Sequence, residues 1–200
     1  MNAYILRAKP HGKDQENEFL DGRLSIGWPC DVSFEGMNRE ELSSILTKKR
    51  QDITETSVSM VDLFVKMPID SIVLTPSLQN RSLIHIFRTV SIYKYDQLAD
   101  GNEKGNPHFV DAIFLKTVAR DSLPKAVLRS LSGARKTLSR ISQHFDLLDD
   151  FVSSGFDANL DVLPLTIDNR AEAMNVLSEL LNSETESIRL QAAIAIVQST

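Results

Sequence analysis

The chemistry available to this chain starts with flat rings and cations. Trp28, the single tryptophan, sits in Ile26-Gly27-Trp28-Pro29, where glycine permits a turn and proline fixes φ straight after the indole. A ring held that way is either a plug of the core or the wall of a pocket for something flat. The residues alone leave both open. Tyr93, Tyr95, Phe87 and Phe109 add further rings, and Arg88 heads a set of cations that runs through residues 81–140. Ser132-Gly133-Ala134-Arg135-Lys136-Thr137 is the stretch best suited to a phosphate, with a flexible backbone and two cations; its plainer reading is a solvated loop. Rings that stack on a base beside cations that hold its phosphates make a nucleic-acid site, including one for an extruded base. For each ring taken singly, packing in the core competes with that role. The candidate ligand-binding residues are Trp28, Tyr93, Tyr95, Arg88, Arg135 and Lys136.

Other chemistries leave no local mark. No Gly-rich phosphate loop and no Gly-x-Ser-x-Gly elbow occurs. Cys30, His11, His85, His108 and His144 are scattered, without the spacing of zinc ligands. Glu40-Glu41 and Asp149-Asp150 are adjacent in expected helices, so neither pair faces inward as an acid–base couple. The Glu-x-Lys or Gln-x-Lys ending common in metal-dependent nucleases is missing too. No catalytic residue, metal or cofactor is expected.

Positioning those rings and cations falls to an alternation of strands and helices. Strands are expected at Tyr4–Ala8, Leu24–Gly27, Ser71–Thr75, Leu83–Val90 with a continuation through Tyr95, and Phe109–Val118. Helices are expected at Asp14–Leu20, from an Asn38 cap with Glu41 three residues on, over Thr54–Lys66, from Leu123-Pro124, and over Leu138–Val152. Asp100–Pro107 reads as a loop of turn formers. The fold class is α+β: a small curved β-barrel with flanking helices over 1–152, a linker near Ser153–Pro164, and a C-terminal helical hairpin over 165–200. The hairpin resembles one HEAT-type pair or a helix-turn-helix. A lone pair of helices must dock, dimerise or continue.

Composition narrows the class further. Hydrophobic residues make up 42% of 200, enough for a real core. No apolar run is long enough to span a membrane, no leader pattern is visible, and one cysteine cannot close an internal disulfide. A cytoplasmic setting is expected. The net charge of −5 is uneven: 81–140 carries 11 Lys/Arg against 5 Asp/Glu, while 141–200 carries 2 against 10. A basic middle and an acidic tail suit either a focused anionic-ligand site or mutual neutralisation.

Several segments, in order, resemble the N-terminal domain of Mrr-type bacterial restriction-system proteins. They include Tyr4-Ile5-Leu6-Arg7-Ala8, Glu18-Phe19-Leu20, Ile26-Gly27-Trp28, Asn38-Arg39-Glu40-Glu41-Leu42, Met67–Pro76, Val110–Leu115 and Asp121-Ser122-Leu123-Pro124. The resemblance spans about residues 3–142. That domain is similar to the PUA-like superfamily, with its EVE and ASCH modules, many of which bind RNA or modified bases in DNA. The resemblance implies a PUA-like barrel with Trp28 near its pocket. Ile69-Asp70-Ser71 and Phe87 before Arg88 depart from the family pattern, which would reshape that pocket. The expected function is a non-catalytic module binding DNA or RNA, reading modified or flipped bases in a restriction or defence context. The alternative is a protein-interaction or scaffolding module that dimerises or docks through residues 168–198. A third reading, an enzyme on nucleic acid, lacks a visible catalytic cluster.

Overall fold

The computed structural model describes residues 1–49, 53–100, 105–134 and 136–154, together with 178, 179, 181, 182 and 189. The chain divides into two units, Met1–Phe156 and Asp157–Thr200, and the first carries the architecture below. Those five late positions aside, the hairpin expected over 165–200 lies outside the described residues.

The order of elements is β1 (Ala3–Leu6), α1 (Glu16–Leu20), β2 (Arg23–Ile26), α2 (Arg39–Lys49), α3 (Glu55–Val65), β3 (Ile72–Pro76), β4 (Leu83–Thr89), β5 (Lys94–Tyr95), β6 (His108–Ala119), α4 (Lys125–Gly133), β7 (Leu138–Arg140) and α5 (Phe145–Ser153). Helix α2 starts where the sequence says it should. The Asn38 N–H donates to Glu41 Oε2 at 2.8 Å and the Glu41 N–H donates to Asn38 Oδ1 at 3.0 Å, a reciprocal capping box. Thr54 caps α3 by accepting from the Ser57 N–H. Met67-Pro68 follows the end of α3, since proline excludes helix for the residue before it.

Seven strands form one mixed sheet in the order β2-β6-β4-β3-β1-β7, with β5 also on β6. The β1–β3 pair is parallel and the other pairs are antiparallel. Strands β1, β3 and β4 are apolar on both faces and bury both. Tyr4, Leu6, Val73 and Phe87 point into one core with Phe19, Leu42, Val61 and Phe64 of the first three helices. Ala3, Ile5, Ile72, Leu74, Ile84 and Ile86 point into a second core with Val127, Leu131, Phe145 and Leu148 of α4 and α5. The result is a curved mixed sheet with helices against both faces.

Two expectations need correction. Helix does not run through Leu138–Val152: Leu138–Arg140 is an edge strand on β1, a 3-10 turn follows at Ser142–His144, and α-helix begins at Phe145. The reason is long-range pairing, since the Arg7 N–H donates to Thr137 O and the Ile141 N–H to Ala3 O, both at 2.8 Å. Nor does β4 continue to Tyr95. The chain leaves β4 at Val90, whose N–H donates to Asp111 O, and Lys94–Tyr95 joins β6 instead. Among the described residues, no helix is long and apolar enough to cross a membrane.

Candidate functional site

Trp28 follows the end of β2 with φ +79, and Asp31 three residues on has φ +57. A bulky residue in the left-handed region is costly, of order 1–3 kcal/mol, and persists only where its surroundings hold it. What holds it is His108 at the start of β6. Its Nε2 donates to the Trp28 carbonyl at 2.9 Å. A carbonyl only accepts, so Nε2 carries the proton and Nδ1 is an acceptor. The Tyr93 hydroxyl donates to that Nδ1 at 2.7 Å and accepts from the Phe34 N–H at 2.9 Å. The Phe34 ring stacks on the imidazole with centroids 4.0 Å apart and 16° between planes. Tyr95 lies 5.4 Å away, and its hydroxyl donates to Asp100. Burial pushes His108 down to about 4, outweighing the bond to Trp28 and the charge of Asp100, so the ring is neutral. Burial also raises Tyr93.

The fold thus gathers Trp28, Tyr93 and Tyr95, which the sequence singles out, around a histidine that it does not. The three are not equally reachable. Tyr93 is 5% exposed and spends its hydroxyl inside, whereas Trp28 and Tyr95 are half-buried. Tyr93 also walls a cavity of about 260 Å³ with Val65, Met67, Pro68 and Ile92.

The cations are placed elsewhere. Arg88 sits on β4 at the phase of Ile84 and Ile86, against the second core, and binds Asp149 of α5 at 2.5 Å. Lys136 is exposed and lines a cleft of about 360 Å³ between α3 and β7. Met60, Leu63 and Leu138 give that cleft apolar lining, Gly133, Ala134 and Ser139 line it with small residues, and Arg140 supplies a second cation. None of its described lining residues is acidic. The Arg7 guanidinium bonds the Ala134 carbonyl, and Arg140 donates to Asn2 Oδ1 and Ser142 Oγ. Arg135 lies outside the described residues.

A second polar constellation escapes any local motif. Glu16, 4% exposed, accepts at Oε2 from the Leu78 and Gln79 N–H groups at 2.8 and 3.2 Å. Its Oε1 meets His85 Nε2 at 2.8 Å, and His85 Nδ1 meets Thr117 Oγ1 at 2.8 Å. Burial alone would raise the Glu16 carboxyl. Bonds from Ser77, His85 and the two amides outweigh burial and hold it below the ordinary carboxylate value. These three residues lie 69 and 32 positions apart: the β4–β6 register pairs His85 with Thr117, and the packing of α1 brings Glu16 to them. The one sequence signal is a histidine inside an otherwise apolar strand, Leu83-Ile84-His85-Ile86-Phe87. Among the described residues, no group of three or more His, Cys, Asp or Glu is placed to hold a metal ion.

No family model matches the chain, and no curated protein matches it. Two solved structures are similar to it. One is the protein Atu2648 from Agrobacterium tumefaciens, at 13% identity and a TM-score of 0.38, covering 80% of this chain and 96% of that one. The other is human THYN1 in complex with 5-methylcytosine-containing DNA, at 9% identity and a TM-score of 0.36, covering 80% of this chain and 100% of that one.

Proposed function

We propose that the first unit binds nucleic acid, with Trp28 and Tyr95 as stacking faces and the Lys136–Arg140 cleft as a seat for phosphate. The observation that carries this reading is the mounting of Trp28: a half-buried indole in a disfavoured backbone state, clamped through its own carbonyl by a buried neutral histidine. Strain that is held in place, rather than relaxed, is a mark of functional positions. The cationic cleft, with no acid among its described lining residues, supports the polymer over a free base, because it offers phosphates a separate hold. Tyr93 and His108 act as supports by holding the Trp28 carbonyl. The resemblance to the Mrr-type domain supports the finer reading, a modified or extruded base recognised in a restriction or defence setting.

Trp28 is the chain's only tryptophan, so its fluorescence reports the site directly. Single-stranded and duplex oligonucleotides, with plain or modified bases, are titrated in at two salt concentrations. Binding quenches the indole and weakens with salt; with a dye-labelled oligonucleotide read by anisotropy, Trp28→Ala loses about 10-fold or more in affinity. Absence of both quenching and binding at low salt ends the proposal.

A further inference from the structure

The buried Glu16–His85–Thr117 chain has the order of an activated hydroxyl: an orienting carboxylate, an imidazole, and a hydroxyl at the surface. The proton positions follow from the donors. Two backbone amides already point at Glu16 Oε2, which fits an ionised carboxylate. His85 Nε2 therefore donates to Oε1, and Nδ1 offers its lone pair to the Thr117 O–H. Glu16 is the ionisable side chain bonded to His85 among the described residues. Strand β3 sets Thr75 opposite it, and Phe87 and Phe114 meet it edge-on.

The ladder adds an oxyanion donor. The Arg120 N–H donates to Ser82 O, so alternate pairs along this stretch, such as Ile84 with Val118, are the hydrogen-bonded ones. His85 and Thr117 are then a non-hydrogen-bonded pair, with side chains close and the Thr117 N–H aimed away from β4. On that outer side β2 pairs with β6 only over Asp111–His108 and β5 only over Phe109–His108, so among the described residues no strand occupies the edge at Thr117. Thr117 is exposed, and the ring of Phe114, 39% exposed, stands beside His85 as an apolar rest for a substrate.

We propose that Thr117 is a nucleophilic hydroxyl that takes an acyl group from small esters with a good leaving group, with His85 as its general base and Glu16 as a positioning residue. Thr117 Oγ1 bonds to the carbonyl carbon as its proton passes to His85 Nδ1. The carbonyl oxygen becomes an oxyanion facing the Thr117 N–H. Collapse breaks the bond to the leaving oxygen, which receives the proton from Nδ1. Water then repeats the cycle, releasing the carboxylic acid and restoring Thr117. This activity does not depend on nucleic-acid binding.

The test uses the full chain and p-nitrophenyl acetate. Nitrophenolate release shows a burst, and peptide mass mapping finds one acetyl group on Thr117. Thr117→Val, which keeps the shape of an exposed side chain, lowers the burst rate by about 100-fold or more, while Thr117→Ser keeps it. In Glu16→Gln the burst rate per folded molecule falls by about 10-fold while KM for the ester is unchanged, because the ring loses the carboxylate that fixes its tautomer. A merely bracing Glu16 changes the folded fraction and leaves the rate per folded molecule in place. Labelling confined to lysines, or a rate unchanged in Thr117→Val, overturns the proposal.

Discussion

His108 keeps its single proton on Nε2 because the Trp28 carbonyl can only accept, and burial sets the pH at which a second proton arrives. Its folded pKa of about 4 lies below the ordinary 6.5, so the unfolded chain takes up that proton first. The stability tied to His108 is complete above about pH 6.5 and is lost as pH falls toward 4, by on the order of 3 kcal/mol. Glu16, and Asp96 beyond β5, where burial is outweighed by the Arg23 guanidinium at 3.1 Å and the Ala99 and Leu98 amides, are held low instead, so their contributions fade only below the ordinary carboxylate range, leaving an upper window that belongs to His108. Urea unfolding at about pH 7 and about pH 5 therefore shows a lower midpoint at the acid end, and His108→Asn, less stable throughout, shows little difference between them. A wild-type midpoint that does not move contradicts a neutral buried ring. Tyr93→Phe strands the Phe34 N–H and His108 Nδ1 and costs about 1–3 kcal/mol by the same measurement. Trp28 was legible in the sequence because its type is rare and Gly27 and Pro29 frame it. His108 was not, because a histidine opening an apolar strand carries no mark of what faces it across the sheet.

Local rules governed some elements and failed at others. The Asn38–Glu41 box lies within four residues, and the structure repeats it bond for bond. Asn38→Ala removes an acceptor for a first-turn amide and costs about 1 kcal/mol in urea unfolding; no loss would mean that the cap does not stabilise α2. Gly22, in the turn between α1 and β2, was marked by nothing but its type. It has φ +90, and a Cβ there would stand 2.6 Å from the Ala112 carbonyl, whose own N–H bonds the Gly22 carbonyl. Gly22→Ala meets both the φ penalty and backbone that cannot yield, and should destabilise by about 2 kcal/mol or more. Strand β7 was hidden for a different reason. Leu138, Ile141, Phe145 and Leu148 recur at helical spacing, and three residues of strand cannot outweigh that period in a reading of sequence. The partner that decides the matter, β1, is more than 130 positions away.

At the scale of the molecule, the α+β class and the place of most strands along the chain were legible, because apolar runs such as Ser71–Thr75 need burial on two faces wherever they lie, while the strand order in the sheet was not. Which cations meet which rings was not legible, since that follows from curvature and register. The basic middle of the chain is not a single face. Arg88 is spent on Asp149 against α5, while Lys136 and Arg140 share a cleft whose described lining holds no carboxylate. Charge counted along the sequence treats these as equals; the fold does not. A cation already paired releases no counterion when a phosphate arrives, whereas one facing solvent does. If the polymer's backbone lies in the cleft, Lys136→Ala and Arg140→Ala each reduce the slope of log affinity against log salt by about 1, without changing the preference among bases. Arg88→Gln should leave the slope where it was. Salt titrations of the three variants, read by the Trp28 signal, separate a local phosphate seat from a diffuse field. Equal losses in all three would place the phosphates outside the cleft and leave the indole as the only part of the site still standing.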